Sequence, residues 1–114
     1  METKNAVIVS TSISNADYGL LSFWIGLDYG GSSQGFGGWS LYNPDFPGSA
    51  NYAGLAIWRI LEIVGVKKWE DLVGRTVRVR ANRERVEAIG NVLVDKWFEP
   101  RVEFEALKSD RGSK

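Results

Sequence analysis

The sequence predicts an α+β domain, a mostly antiparallel sheet in the order β-β-β-α-β-β-β with one main helix packed on it. Three observations predict it. The opening segment holds two runs rich in β-branched and aromatic residues, separated by turn chemistry. Residues 49–65, "SANYAGLAIWRILEIVG", repeat apolar side chains at helical spacing, and "RTVRVRA" (75–81) then returns to strict alternation.

Taken in order, residues 6–13 read as the first strand. Asn15, Asp17 and Gly19 in "SNADYG" supply a turn: the first two can bond their own backbone and the third can take positive φ. "LLSFWIGLDY" (20–29) is the second strand. Leu21, Phe23, Ile25, Leu27 and Tyr29 share one face under the period of two, and Trp24 interrupts an otherwise small and polar opposite face. "GGSSQG" is a loop, and "FGGWSLY" (36–42) is a third strand. Breakers in "NPDFPGS" lead into the helix, for which Ser49 is the N-cap and Gly65 the left-handed residue at the end.

Ala53, Ile57, Ile60 and Val64 form one stripe of that helix, widened by Ala56, Leu61 and Ile63. Its far side carries Leu55 and Trp58 beside Arg59 and Glu62, so the helix is either covered twice or lends a face to a partner, a second copy included. "KKWEDLVG" is a short helical turn closed by Gly74. In "RTVRVRA" Val77, Val79 and Ala81 turn inward and Arg78 and Arg80 outward. "NRER" turns the chain, and "VEAIGNVLV" (86–94) and "KWFEPRVEFEAL" (96–107) are two further strands, with Pro100 marking a bulge or edge in the last. Residues 1–108 are expected to form a single domain and 109–114 a disordered tail.

The totals narrow the function. The 114 residues carry no net formal charge, which argues against binding nucleic acid through bulk positive charge. The charge is nevertheless uneven, about −3 over residues 1–58 and +3 over 59–114. With no Cys and no His, disulfides, thiolate nucleophiles, Cys/His zinc sites and imidazole acid–base catalysis are excluded. The carboxylates are scattered, without the spacing of a calcium loop or a paired acid–base site. A non-enzyme with no cofactor and no metal is expected. No signal-peptide pattern or membrane-length apolar run is seen, so a soluble intracellular protein with no membrane contact is expected.

Three clusters remain. Seven of the thirteen glycines lie between Gly19 and Gly38. They lack the Lys and the following helix of a phosphate loop, and read as strand twist with a helix approaching closely over Gly37 and Gly38. The same loop, with Gln34 and Phe36, offers a contact surface. Arg75, Arg78, Arg80, Arg83 and Arg85 fall within eleven residues; they can grip phosphate or an acidic protein surface, or simply pair with Glu84, Glu87, Glu103 and Glu105. Five tryptophans are many for so small a core, and Trp58 and Trp24 are the ones expected at the surface, as partner anchors or as core filler.

"SQGFGGWSL", "AGLAIWRILEIVGVKKWEDLVGRTVRV" and "AIGNVLVDKWFEP" together resemble small uncharacterised proteins of bacteriophage and prophage genomes that share a Gly-Gln-Gly-Phe-Gly-Gly motif. Gln34 to Gly38 match it; Asn91 departs from the pattern, standing where similar sequences often have His. The resemblance implies a phage origin and a host-cytoplasm setting but no activity. By analogy with other small phage proteins, the expected function is inhibition of a host defence complex, anti-CRISPR-like, by steric occlusion. The contact surface expected from the sequence joins Gln34, Phe36, Trp58, Arg78, Arg80, Arg83 and Arg85. A nucleic-acid or nucleotide binder using the arginines, and a virion structural protein, are the alternatives.

Overall fold

The computed structural model describes residues 2–46 and 51–112. They form a six-stranded, wholly antiparallel sheet with two helices, an α+β fold. The strands are β1 (Glu2–Asp17), β2 (Leu20–Asp28), β3 (Ser33–Gly37), β4 (Thr76–Ala81), β5 (Val86–Gly90) and β6 (Trp97–Phe98). They lie in the order β3-β2-β1-β4-β5-β6. Helix α1 (Ala53–Val64) follows β3, and α2 (Pro100–Gly112) ends the described chain.

β1 organises the sheet. Its first residues pair with β4, from Glu2↔Ala81 to Val7↔Thr76, and the rest pairs with β2, from Val7↔Asp28 to Asp17↔Leu20. An irregularity between Ile8 and Ser10 bends the strand where it changes partner. The β1–β2 hairpin closes through Tyr18 and Gly19, both with positive φ (55° and 72°), as a two-residue loop of type I′ requires.

The sheet curls strongly. Phe36 of β3 and Phe98 of β6, from opposite ends of the strand order, have ring centroids only 6.1 Å apart. Inside the curl lie Phe23, Ile25, Leu27, Phe36, Val77, Val79, Ile89 and Phe98, and α1 covers them with Ala56, Ile60 and Ile63. This inward set is the one that alternation predicts for β2 and β4. Gly65 ends α1 in the left-handed conformation, donating its N–H to the Leu61 carbonyl. Ser49, the expected N-cap, lies outside the described residues; Asn51 Oδ1 accepts the Ala53 N–H.

Four expectations are corrected. The strand expected over 96–107 is only Trp97–Phe98, because Pro100 opens a helix instead of interrupting a strand. The Glu99 N–H bonds Glu103 Oε2 in the manner of a capping box, and the Phe104 ring stacks on Tyr52 at 4.4 Å. This second helix runs on to Gly112. The strand expected over 86–94 stops at Gly90, where Asn91 starts a tight loop. The third strand is Ser33–Gly37, earlier than 36–42, because Gly37 and Gly38 have φ of 148° and 89° and leave the extended path. The first strand spans sixteen residues, beyond the 6–13 expected.

Candidate interaction surfaces

The glycine cluster is a floor for an indole. Trp24 stands on the outer face of β2, opposite Gly37 of β3. A Cβ at Gly35 would lie 3.0 Å from its ring, and one at Gly38 2.8 Å. At Gly37 a Cβ would collide with the Phe23 carbonyl oxygen. The close approach expected from a helix is therefore made by Trp24, which stays about half exposed (48%). Beside it, Gly35, Gly37 and Gly38 face Glu84, Arg85 and Val86 across a shallow depression of about 530 Å³.

Phe36 is fully buried between Phe23 (5.6 Å), Trp39 (5.4 Å) and Phe98, so its ring is not available to a partner, contrary to the sequence reading. Its place on β3 sets it inward, because β3 follows the pleat of β2 and Phe36 pairs with Ile25. Gln34 ties the curl together. Its Oε1 accepts the Tyr29 hydroxyl at 2.8 Å and its Nε2 donates to the Asn82 carbonyl at 3.1 Å. Burial raises the Tyr29 pKa above its ordinary value.

The arginines divide by what they already hold. Arg78 donates from Nε to the Asn91 carbonyl (2.7 Å) and from Nη2 to the Val94 carbonyl (2.9 Å). Arg80 lies over the Trp97 ring at 3.9 Å, and Trp97 in turn rests on Gly90. Arg85 lies over Trp39 at 4.9 Å and pairs with Glu87 at 3.5 Å. Arg83 is exposed in the turn that Asn82 Oδ1 organises by accepting the Glu84 and Arg85 N–H groups. Three of the four site arginines, Arg78, Arg80 and Arg85, thus serve internal contacts with their guanidinium groups, which weakens the phosphate-gripping alternative.

Arg59 is the hub that joins α1 to β6 and α2. It donates to Glu103 (2.8 Å), to Glu62 and to the Trp97 carbonyl (2.6 Å). The hydrogen bond to Glu103 first, and Glu62 with it, hold its pKa above the ordinary value against the opposing effect of burial. The neighbouring Trp58 projects the other way and is 68% exposed. It borders a groove of about 350 Å³ with Leu61, Glu62, Val66 and Lys67.

Trp58 and the arginine edge do not share a surface. Val77 and Val79 turn into the core that α1 covers, so Arg78 and Arg80 leave the sheet on its other side, while Trp58 points away from that core. Sequence patterning placed both outward and had no means of relating them.

A third surface was missed. Residues 91–96 present Val92, Leu93 and Val94 to solvent, Leu93 at 90% exposure. The loop beneath them is held tightly. Asn91 Oδ1 accepts the Leu93 and Val94 N–H groups (2.8 and 3.1 Å), and its Nδ2 donates to the Ile63 carbonyl of α1 (2.9 Å). The Asn91 N–H bonds the Lys96 carbonyl, Arg78 holds two loop carbonyls, and Trp97 Nε1 bonds Asp95 at 2.9 Å. The signal was the apolar triplet after an Asn; it resembled a strand continuing from Ile89.

Comparison of the chain with known protein families, curated proteins and solved structures finds no match. Among the described residues, no group of Asp and Glu is placed to hold a metal ion, and no helix is long and apolar enough to cross a membrane.

Proposed function

We propose that this is a non-enzymatic bacteriophage protein that acts in the host cytoplasm by stoichiometric binding to a host defence complex, blocking it sterically in the anti-CRISPR manner. The phage setting comes from the motif resemblance. The observation that supports binding is the Val92–Leu93–Val94 tip, three consecutive exposed aliphatic residues on a loop fixed by its own hydrogen bonds. Soluble surfaces seldom keep such a run without a use for it. A loop already ordered loses little conformational entropy on docking, so the burial of Leu93 goes largely into affinity. Arg80 and Arg83, on neighbouring strand and turn, would set orientation as rim charges.

The test uses the tagged chain to retain its partner from host lysate, followed by titration of the identified partner with purified protein. Burying one leucine side chain stabilises by about 1.5–3 kcal/mol, so Leu93→Ser is expected to weaken binding roughly 10- to 100-fold at unchanged thermal stability. Binding of the variant at wild-type strength would remove the tip from the contact.

A further inference from the structure

The outer face of α1 is not used by that contact, and its composition is self-complementary. It combines a knob, a hollow and one charge of each sign. Trp58 is the knob, 68% exposed. Leu61 and Val66 form the wall of the adjoining groove of about 350 Å³, with Glu62 and Lys67 at its rim. Within the chain Glu62 is held by Arg59 and remains partly exposed, while Lys67 has no ion-pair partner among the described residues.

We infer that two copies of this chain form a two-fold dimer through α1, the Trp58 of each seated in the other's groove and Glu62 of each facing Lys67 of the other. A two-fold axis brings the same patch against itself, so a patch holding both a knob and a hollow, and both charges, satisfies itself in one contact. The zero net formal charge of the chain leaves no overall repulsion to oppose it. Such a dimer would present two Leu93 tips, but the inference stands without the proposed host partner.

Sedimentation velocity of the purified full chain, from about 1 to about 500 µM, tests it across the range from moderate to weak self-association. The expected result is a concentration-dependent shift from 12.7 kDa toward twice that mass. Trp58→Ala should raise the dissociation constant at least about tenfold, as loss of an aromatic anchor does. Lys67→Glu should also weaken the dimer, by setting carboxylates against each other, and Glu62→Lys combined with Lys67→Glu should restore it. Circular dichroism melts keep folding defects separate. A chain that stays monomeric throughout would overturn the inference, as would a dimer unaffected by Trp58→Ala and Lys67→Glu in folded variants.

Discussion

Segments 30–38, which holds β3 among its glycines, and 91–96, the loop after β5, both rely on turn-forming residues, and they use those residues in opposite ways. In the first, the glycines remove side chains so that Trp24 lies flat and Gly37 passes the Phe23 carbonyl. Its Gln34 reaches across the curl, bonded to Tyr29 and Asn82. In the second, the polar groups are collected underneath, on Asn91, Arg78 and Trp97, and the apolar side chains are left outside. Glycine richness thus marks internal packing here, and the surface proposed for binding is a rigid polar base under exposed aliphatics. An unusual composition identifies a place with a constraint; only the contacts say whether that constraint comes from within the fold or from outside it.

The two segments differ most at Gly37. Gly37→Ala should destabilise the fold by about 3 kcal/mol, because a Cβ meets backbone that cannot move aside, and φ there disfavours any side chain. Urea unfolding measures it; a loss below about 1 kcal/mol would mean that the segment adapts and that its glycines are not a packing requirement.

A smaller effect is expected in the other segment. Asn91→Ala removes two side-chain bonds within the loop and one to α1, each worth about 1 kcal/mol or less where partly exposed. A loss of about 2 kcal/mol is expected, with faster hydrogen exchange at the Leu93 and Val94 amides. Unchanged exchange there would mean that the loop is ordered by Arg78 alone.

The smallest effect sharpens the first segment's inward bonding. Tyr29 has its pKa raised from 10.0 by burial, so the folded state keeps the phenol proton more strongly than the unfolded chain. Its contribution is therefore fully present below about pH 10 and is lost as pH rises through the folded pKa. Tyr29→Phe should cost about 1 kcal/mol at neutral pH through the lost bond to Gln34, and should flatten the fall of stability above pH 10. Parallel alkaline profiles for the two proteins would place the responsible group elsewhere.

Much of the fold was legible because it is local. The alternation in 20–29 and 75–81 named the buried faces of β2 and β4, and Gly19 and Gly65 take the positive φ expected of them. The surface exposure of Trp58 followed from helical spacing. The candidate site was less legible. Phe36, at the start of the strand expected over 36–42, was grouped with the glycine-rich loop as a contact residue because its neighbours are glycines, and Pro100 was read as a bulge or edge because Trp97 and Phe98 precede it.

Periodicity and composition act over a few neighbouring residues, and so they set the class of the fold, the inward faces of its strands and helix, and the absence of imidazole and thiol chemistry. Tertiary structure alone decided that β3 and β6 meet over the core, that Trp24 covers the glycines, that Arg78 supports the loop 91–96, and that Trp58 stands on the far side of the sheet from Arg80. These are encounters between distant segments, fixed by how far the sheet curls, and curvature is a property of the whole set of strand pairings and not of any one stretch of chain.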